Sequence, residues 1–320
     1  MVSGPVDPTW LTRRAQELGF NLDLFEQAYR LAHLLGELGA NRWLGSRLAL
    51  KGGTCINLFH SDLPRLSVDM DLNYVGSANR EIMREERPVV MDTVRNLARE
   101  HGYVPEDIRM SYAGWTARLV YESVRDSTAS IKVDVNFLNR VPLFQVERLP
   151  IPVVLELGSV KAPCLAVDDV YGGKLKALAV RGEPRDVFDA ALLFSGGVVH
   201  DPAQLRKAFL FYGFMDDASL ATFDLGAIGR LGPRDYEQRL YPVLRRGDRP
   251  DPVDLADLVV PRLDEMLDLT EDEVAFGRGL EDGEYLPELL FGDVQVSDDI
   301  GAHPAAEWRR LHPHGRVDQR

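Results

Sequence analysis

Two aspartates separated by one apolar residue, Asp69 and Asp71, lie in the run RLSVDMDLNY, whose composition is otherwise that of a β-strand. In a strand alternate side chains share a face. Ser67, Asp69 and Asp71 therefore point one way, and Leu66, Val68, Met70 and Leu72 the other. The two carboxylates are then roughly 7 Å apart at Cα, and their oxygens can converge on one cation. Hard divalent ions such as Mg²⁺ take oxygen ligands, commonly one or two carboxylates plus the phosphates of a substrate. A bare D-x-D is more often the solvent face of an amphipathic strand, but two further features shift that balance.

The first is LKGGT, residues 50 to 54. Gly52 and Gly53 let backbone approach a ligand closely, and the helix start expected after them exposes amides that attract anions, phosphate above all. Lys51 adds a charge and Thr54 a hydroxyl. The stretch is neither a Walker A motif nor G-x-G-x-x-G. The second is SIKVDVNFL, where Asp134 shares a polar face with Lys132 and Asn136. Paired in a sheet with the Asp69/Asp71 strand, Asp134 completes a cluster of three carboxylates. Three uncompensated charges that close repel by several kcal/mol, so cations belong there, and metal ions with a nucleoside triphosphate are the natural occupants.

The elements that must position these residues can be read in outline. About the first 40 residues carry helical periodicity, in WLTRRAQELG and LDLFEQAYRLAHLLGELG. RLALKGG reads as a short strand entering a turn, and TCINLFH as a short helix with Thr54 as its N-cap. Residues 79 to 101 form a charged helix with Pro88 as a break. YVPEDIRM, TARLVYESV and SIKVDVNFL are strands by their β-branched and aromatic content, and VKAPCLAV is a further one. Beyond it the pattern is helical, and the polar end containing HPHGRVDQR reads as a loose tail. The expected fold is α/β in class (α+β in arrangement): a mixed sheet in the N-terminal half and a mostly helical C-terminal half. The expected division is 1–165 and 166–320, with the second part contributing to the same chemistry.

Composition narrows the function classes. The hydrophobic fraction is 45% and the charged fraction 27%, as in ordinary globular proteins. No window approaches the ~20 apolar residues of a membrane span, and MVSGPVDPTW has neither the basic nor the apolar region of a secretory leader. Cys55 and Cys164 sit in apolar contexts, read as buried thiols, and form no C-x-x-C. A cytoplasmic setting is expected. The formal net charge of −13 argues against a protein that coats nucleic acid, though not against a local basic cleft. The seven histidines show no metal-binding spacing, and His303 reads as a capping or packing residue. Trp308 and the aromatics of FLFYGF read as core.

Together, KGGT and RLSVDMD resemble the AbiEii/AbiGii-type toxin branch of the nucleotidyltransferase superfamily, which includes the MenT toxins. The matching positions are Gly52, Gly53 and Thr54, then Arg65, Ser67, Asp69 and Asp71. The later motif of that family has its counterpart in GGKLKALAVRGEPRDVFDAALL, with Lys174, Arg181, Arg185, Asp186 and Asp189. The resemblance runs from about residue 45 to 310. One departure is the pair Gly172 and Gly173 before the motif lysine. Glycines weaken a helix, so either the helix begins at Lys174 or the backbone bends there. Lys174 and Arg181, seven apart, share a helix face.

The resemblance implies a metal-dependent nucleotidyltransferase, the toxin of a toxin–antitoxin pair, using an NTP and Mg²⁺ or Mn²⁺. Asp69 and Asp71 are then metal ligands, and Asp134 a third ligand or the base that orients the incoming hydroxyl. Gly52, Gly53, Thr54 and Ser67 bind the triphosphate, with Arg181 assisting. Lys174 neutralises the β- and γ-phosphates, and Asp189 or Asp186 orients Lys174 or contacts base or ribose. The implied acceptor is an RNA 3′ end, that of tRNA, and the implied partner is a cognate antitoxin. LRK at 205 to 207 and LRRGDR at 244 to 249 are local basic segments, as readily solvated helix ends as a nucleic-acid groove. Two alternatives stay open: transfer to a small molecule or a protein hydroxyl, and a non-catalytic nucleotide-binding module.

Overall fold

A computed structural model describes residues 6–198, 200–215, 220 and 223–311 of the chain. Two compact units emerge. The first comprises Met1–Arg140, Val146–Leu165 and Pro242–Asp248, and the second Val141–Gln145, Ala166–Tyr241 and Arg249–Arg320.

The first unit is built on a sheet that, among the described residues, has seven strands in the order β3-β4-β5-β2-β1-β7-β6. The strands are β1 (Leu48–Leu50), β2 (Asp69–Tyr74), β3 (Val104–Met110), β4 (Gly114–Glu122), β5 (Thr128–Asn136), β6 (Glu147–Pro150) and β7 (Lys161–Cys164). The sheet is mixed: β2 runs parallel to β5 and β1 parallel to β7, and the remaining neighbours are antiparallel. Helices α1 (Pro8–Leu18) and α2 (Leu22–Ala40) precede the sheet, α3 (Gly52–Cys55) follows β1, and α4 (Arg80–Glu100) follows β2. Helix α2 packs on β5 and β7, and α4 on β3. The sheet face beneath α2 and α4 is apolar and closed: Trp115, Ala117, Leu119 and Tyr121 of β4 alternate with outward residues, as do Ile131, Val133 and Val135 of β5, and all seven are buried. Both cysteines are buried, and neither is in a disulfide among the described residues.

Several local expectations change. Pro88 does not break α4, which runs on through it. The ring lies on the exposed side of the helix, where water satisfies the carbonyl that loses its donor. Thr54 does not cap the helix after the glycines; Lys51 holds the cap position and Thr54 lies inside α3. Strand β2 begins at Asp69, so Ser67 precedes it.

The second unit is helical, opening with α5 (Val167–Arg181), α6 (Pro184–Leu192) and α7 (Pro202–Phe214). Helix α5 starts well before Lys174. Gly172 is helical because α7 crosses there: a Cβ at 172 would lie 2.5 Å from the Ala208 Cβ and 2.8 Å from its carbonyl carbon. Phe209 and Phe211 are fully buried. His303 both packs, its ring 4.8 Å from that of Phe211, and caps, its Nδ1 accepting from the Ala305 amide. The polar end is not all loose tail, since Asp298–Ala302 and Pro304–Leu311 are helical; HPHGRVDQR from residue 312 on lies outside the described residues.

Candidate active site

Parallel pairing of β2 with β5 sets Asp71 directly opposite Asp134 and Asp69 opposite Lys132. Asp69, Asp71, Lys132 and Asp134 thus share the sheet face that α2 and α4 leave uncovered, while Met70 and Leu72 are buried on the other. Asp134 is held from both sides. Thr116, opposite it on β4, donates its hydroxyl to Oδ1, and the Lys132 ammonium sits on Oδ2.

The glycine turn is aimed at the same carboxylates. The Lys51 amide donates to the Asp71 carbonyl at 2.9 Å, tying the end of β1 to β2. Gly52 follows with φ +71°, and a Cβ there would lie 2.7 Å from Asp71 Oδ2. Left-handed backbone and the nearness of the carboxylate both require glycine. A Cβ at Gly53 would lie 2.8 Å from the Arg65 guanidinium and 3.2 Å from the Ser67 hydroxyl. Arg65 is 2% exposed and donates to the Leu66 carbonyl; it is a strut beneath the turn. The Thr54 hydroxyl donates to the Asp69 carbonyl at 2.6 Å and lies 2.9 Å from the Ser67 hydroxyl. Thr54 is fully buried, so its side chain braces α3 against the start of β2.

Electrostatics favour a cation here. Burial pushes the Asp71 carboxyl above the usual carboxylate range; Lys51 and Lys132 pull it down, while Asp69 and Asp134 push it further up. The hydrogen bond from Lys132 to Asp134, with Asp69 and Asp71 further off, raises the Lys132 ammonium above the ordinary lysine value despite its partial desolvation. Among the described residues no three His, Cys, Asp or Glu side chains form a ready metal cage. Asp134 is engaged by Thr116 and Lys132. The donor set fits a hard divalent ion, because Asp69 and Asp71 present carboxylate oxygens on one face, with Asp134 directly opposite Asp71.

The later motif forms its own cluster in the second unit. Lys174 lies 2.7 Å from Asp186 and 3.1 Å from Asp189, and Arg181 donates to the other oxygen of Asp186 at 2.8 Å. The side chains of Asp186 and Asp189 are 3% and 0% exposed, that of Arg181 57%. Two buried carboxylates thus fix the lysine, while Arg181 reaches solvent. The Arg185 Nε donates to the Arg239 carbonyl.

Two participants escaped the sequence reading. Thr116 reveals itself only through β4/β5 register. Asn73 continues the alternation of Asp69 and Asp71, is 3% exposed, and its Oδ1 finds no hydrogen-bond partner among the described residues.

Residues 35–272 match the family described as "Nucleotidyl transferase AbiEii toxin, Type IV TA system". Among solved structures, the fold is similar to that of MenT4, a nucleotidyltransferase toxin from Mycobacterium tuberculosis H37Rv, with a TM-score of 0.63 and 21% identity over 85% of this chain and 94% of that one. The comparison with curated proteins finds no match.

Proposed function

The chain belongs to the AbiEii family of nucleotidyltransferase toxins, of type IV toxin–antitoxin systems, and from that premise we propose that it transfers a nucleotidyl group from an NTP to the 3′-hydroxyl of an RNA, that of the tRNA acceptor stem. The transfer blocks aminoacylation in the cytoplasm until a cognate antitoxin intervenes. The observation that carries this reading is the single sheet face bearing Asp69, Asp71 and Asp134 with the Gly52 turn pressed against Asp71.

In the reaction the acceptor oxygen bonds to the α-phosphorus, the bond from that phosphorus to the bridging oxygen breaks, and pyrophosphate leaves. Such transfers depend on positioning and charge neutralisation more than on covalent chemistry. A bound Mg²⁺ or Mn²⁺ supplies neutralisation at the reacting phosphate; Asp69 and Asp71 are the residues to hold it, with Asp134 available as a third ligand on leaving Lys132. Asp134, positioned by Thr116, otherwise receives the proton of the attacking hydroxyl. The Gly52 and Gly53 amides and the Ser67 hydroxyl bind triphosphate oxygens, and Thr54 and Arg65 keep that turn in place. In the second unit Lys174, held by Asp186 and Asp189 with Arg181 beside it, is the cation proposed to take phosphate charge.

The test is incubation with each α-labelled NTP and Mg²⁺ against separate pools of tRNA, protein and aminoglycoside. Label is expected in tRNA alone, and Asp69→Ala is expected to abolish transfer while keeping the circular dichroism of the native fold. An active Asp69→Ala protein, or label that enters only the protein or small-molecule pool, defeats the proposal.

A further inference from the structure

The sheet register extends the catalytic face into two rows of side chains. One runs Asp69, Lys132, Arg118, Glu106 across β2, β5, β4 and β3; the other runs Asp71, Asp134, Thr116, Arg109. Beyond the carboxylates of β2 this face gains three cations, Lys132 on β5, Arg118 on β4 and Arg109 on β3, with Asp134 and Glu106 among them. This happens in a chain of net charge −13. Lys132, Arg118 and Arg109 are all exposed, and Arg118 makes no ion pair among the described residues.

The place of Arg109 depends on an irregularity. The register of β3 against β4 shifts between Asp107 and Arg109, so that Asp107 pairs with Ala117 and Arg109 with Thr116. In a regular strand residues 107 and 109 would share a face. Here Asp107 turns to the helix-covered side, where it accepts from Trp115 Nε1 at 3.0 Å and from Arg95, while the bulge sends Arg109 to the open side. Bulges commonly re-aim a side chain in this way.

Resting on the nucleotidyl-transfer reading above, we infer that this open face of β5, β4 and β3 is the bed for the acceptor: a single-stranded RNA 3′ end whose backbone phosphates lie along Lys132, Arg118 and Arg109, with its terminal hydroxyl at the carboxylates. With strands about 4.8 Å apart, Arg109 lies three strands, about 14 Å, from the Asp71 column. An extended single strand spaces its phosphates more widely than the about 3.4 Å per strand of a duplex, so the rows have the reach of about two or three nucleotides. Asp69 and Asp71 lie on the β2 side of these cations, and Glu106 ends the first row on β3. Such cations contact phosphates without reading bases, so they serve any strand end, and sequence choice lies elsewhere.

The test uses the full chain, a short 5′-labelled single-stranded RNA with a free 3′-hydroxyl, and anisotropy titrations over a range of salt. Arg118→Glu and Arg109→Glu are each expected to weaken RNA binding about tenfold near 0.1 M salt and to flatten the log–log salt slope by about 0.7 per lost phosphate contact. The rise in melting temperature caused by NTP with Mg²⁺ is expected to stay as in the wild type, and Arg13→Glu on the exposed side of α1 to leave RNA binding unchanged. Wild-type transfer to RNA combined with normal RNA binding by both variants overturns the acceptor bed alone, as does an equal loss in Arg13→Glu. Tight binding of a protein partner lost in Arg118→Glu while RNA binding persists assigns the face to that partner and also overturns it. A wild type that NTP does not stabilise removes the nucleotidyl-transfer reading, and the bed with it.

Discussion

Replacing Asp71 by asparagine removes one charge from the carboxylate face while keeping its shape. With Asp69 two residues along β2 and Asp134 opposite on β5, each like-charge pair at about 6 Å costs roughly 2–3 kcal/mol at an effective dielectric of 20. Lys51 and Lys132 return part of that. The net effect is expected to be about 1–2 kcal/mol of stabilisation of Asp71→Asn in chelator at neutral pH, a melting rise of about 2–8 °C. The sign follows from linkage: the folded value of Asp71 is raised above 3.8, so the wild type loses stability as pH climbs from there through the raised value. The variant lacks that decline. Mg²⁺ reverses the comparison, raising the melting temperature of the wild type and leaving Asp71→Asn where it was. Calorimetry in chelator and in Mg²⁺ across pH reads all of this. A variant that melts below the wild type in chelator, or still gains on adding Mg²⁺, refutes the reasoning.

Lys174→Met leaves Asp186 and Asp189 buried without their ammonium and is expected to cost about 3–5 kcal/mol in urea unfolding; adding Asp189→Asn recovers part of that loss. Gly52→Ala forces a side chain into left-handed backbone against Asp71 and is expected to cost about 1–2 kcal/mol, with loss of the Mg²⁺-dependent melting shift. Gly172→Ala collides with α7 and is expected to cost about 1–3 kcal/mol. Gly173→Ala, which meets nothing nearer than Tyr212 at 3.9 Å, is expected to be neutral or stabilising by up to about 1 kcal/mol on the same curve.

What could be read in the chain was whatever depends on local periodicity. The alternation of Met70 and Leu72 with Asp69 and Asp71 marks a strand and its polar face, and the helical runs of α1 and α2 announce themselves by apolar spacing. What could not be read is set by contacts distant in sequence. Gly172 reads as a helix breaker because its reason, Ala208 on α7, lies far along the chain. Thr54 reads as a cap because nothing local shows its hydroxyl turning to the Asp69 carbonyl. The four-residue strand β6, ERLP, offers no alternation and contains a proline, tolerated because β6 is the edge of the sheet. Asp134 was legible as a candidate, but the pairing that sets it opposite Asp71 is parallel and crosses three other elements, so register came only with the fold.

The central claim is that this chain adds nucleotides to RNA 3′ ends, and sequencing those ends after incubation of total RNA with the protein, Mg²⁺ and a mixture of NTPs tests it most directly. The expected result is one class of RNA, tRNA, carrying extra 3′ nucleotides with the wild type and none with Asp69→Ala. Unaltered 3′ ends under conditions where the wild type consumes NTP and releases pyrophosphate would contradict it.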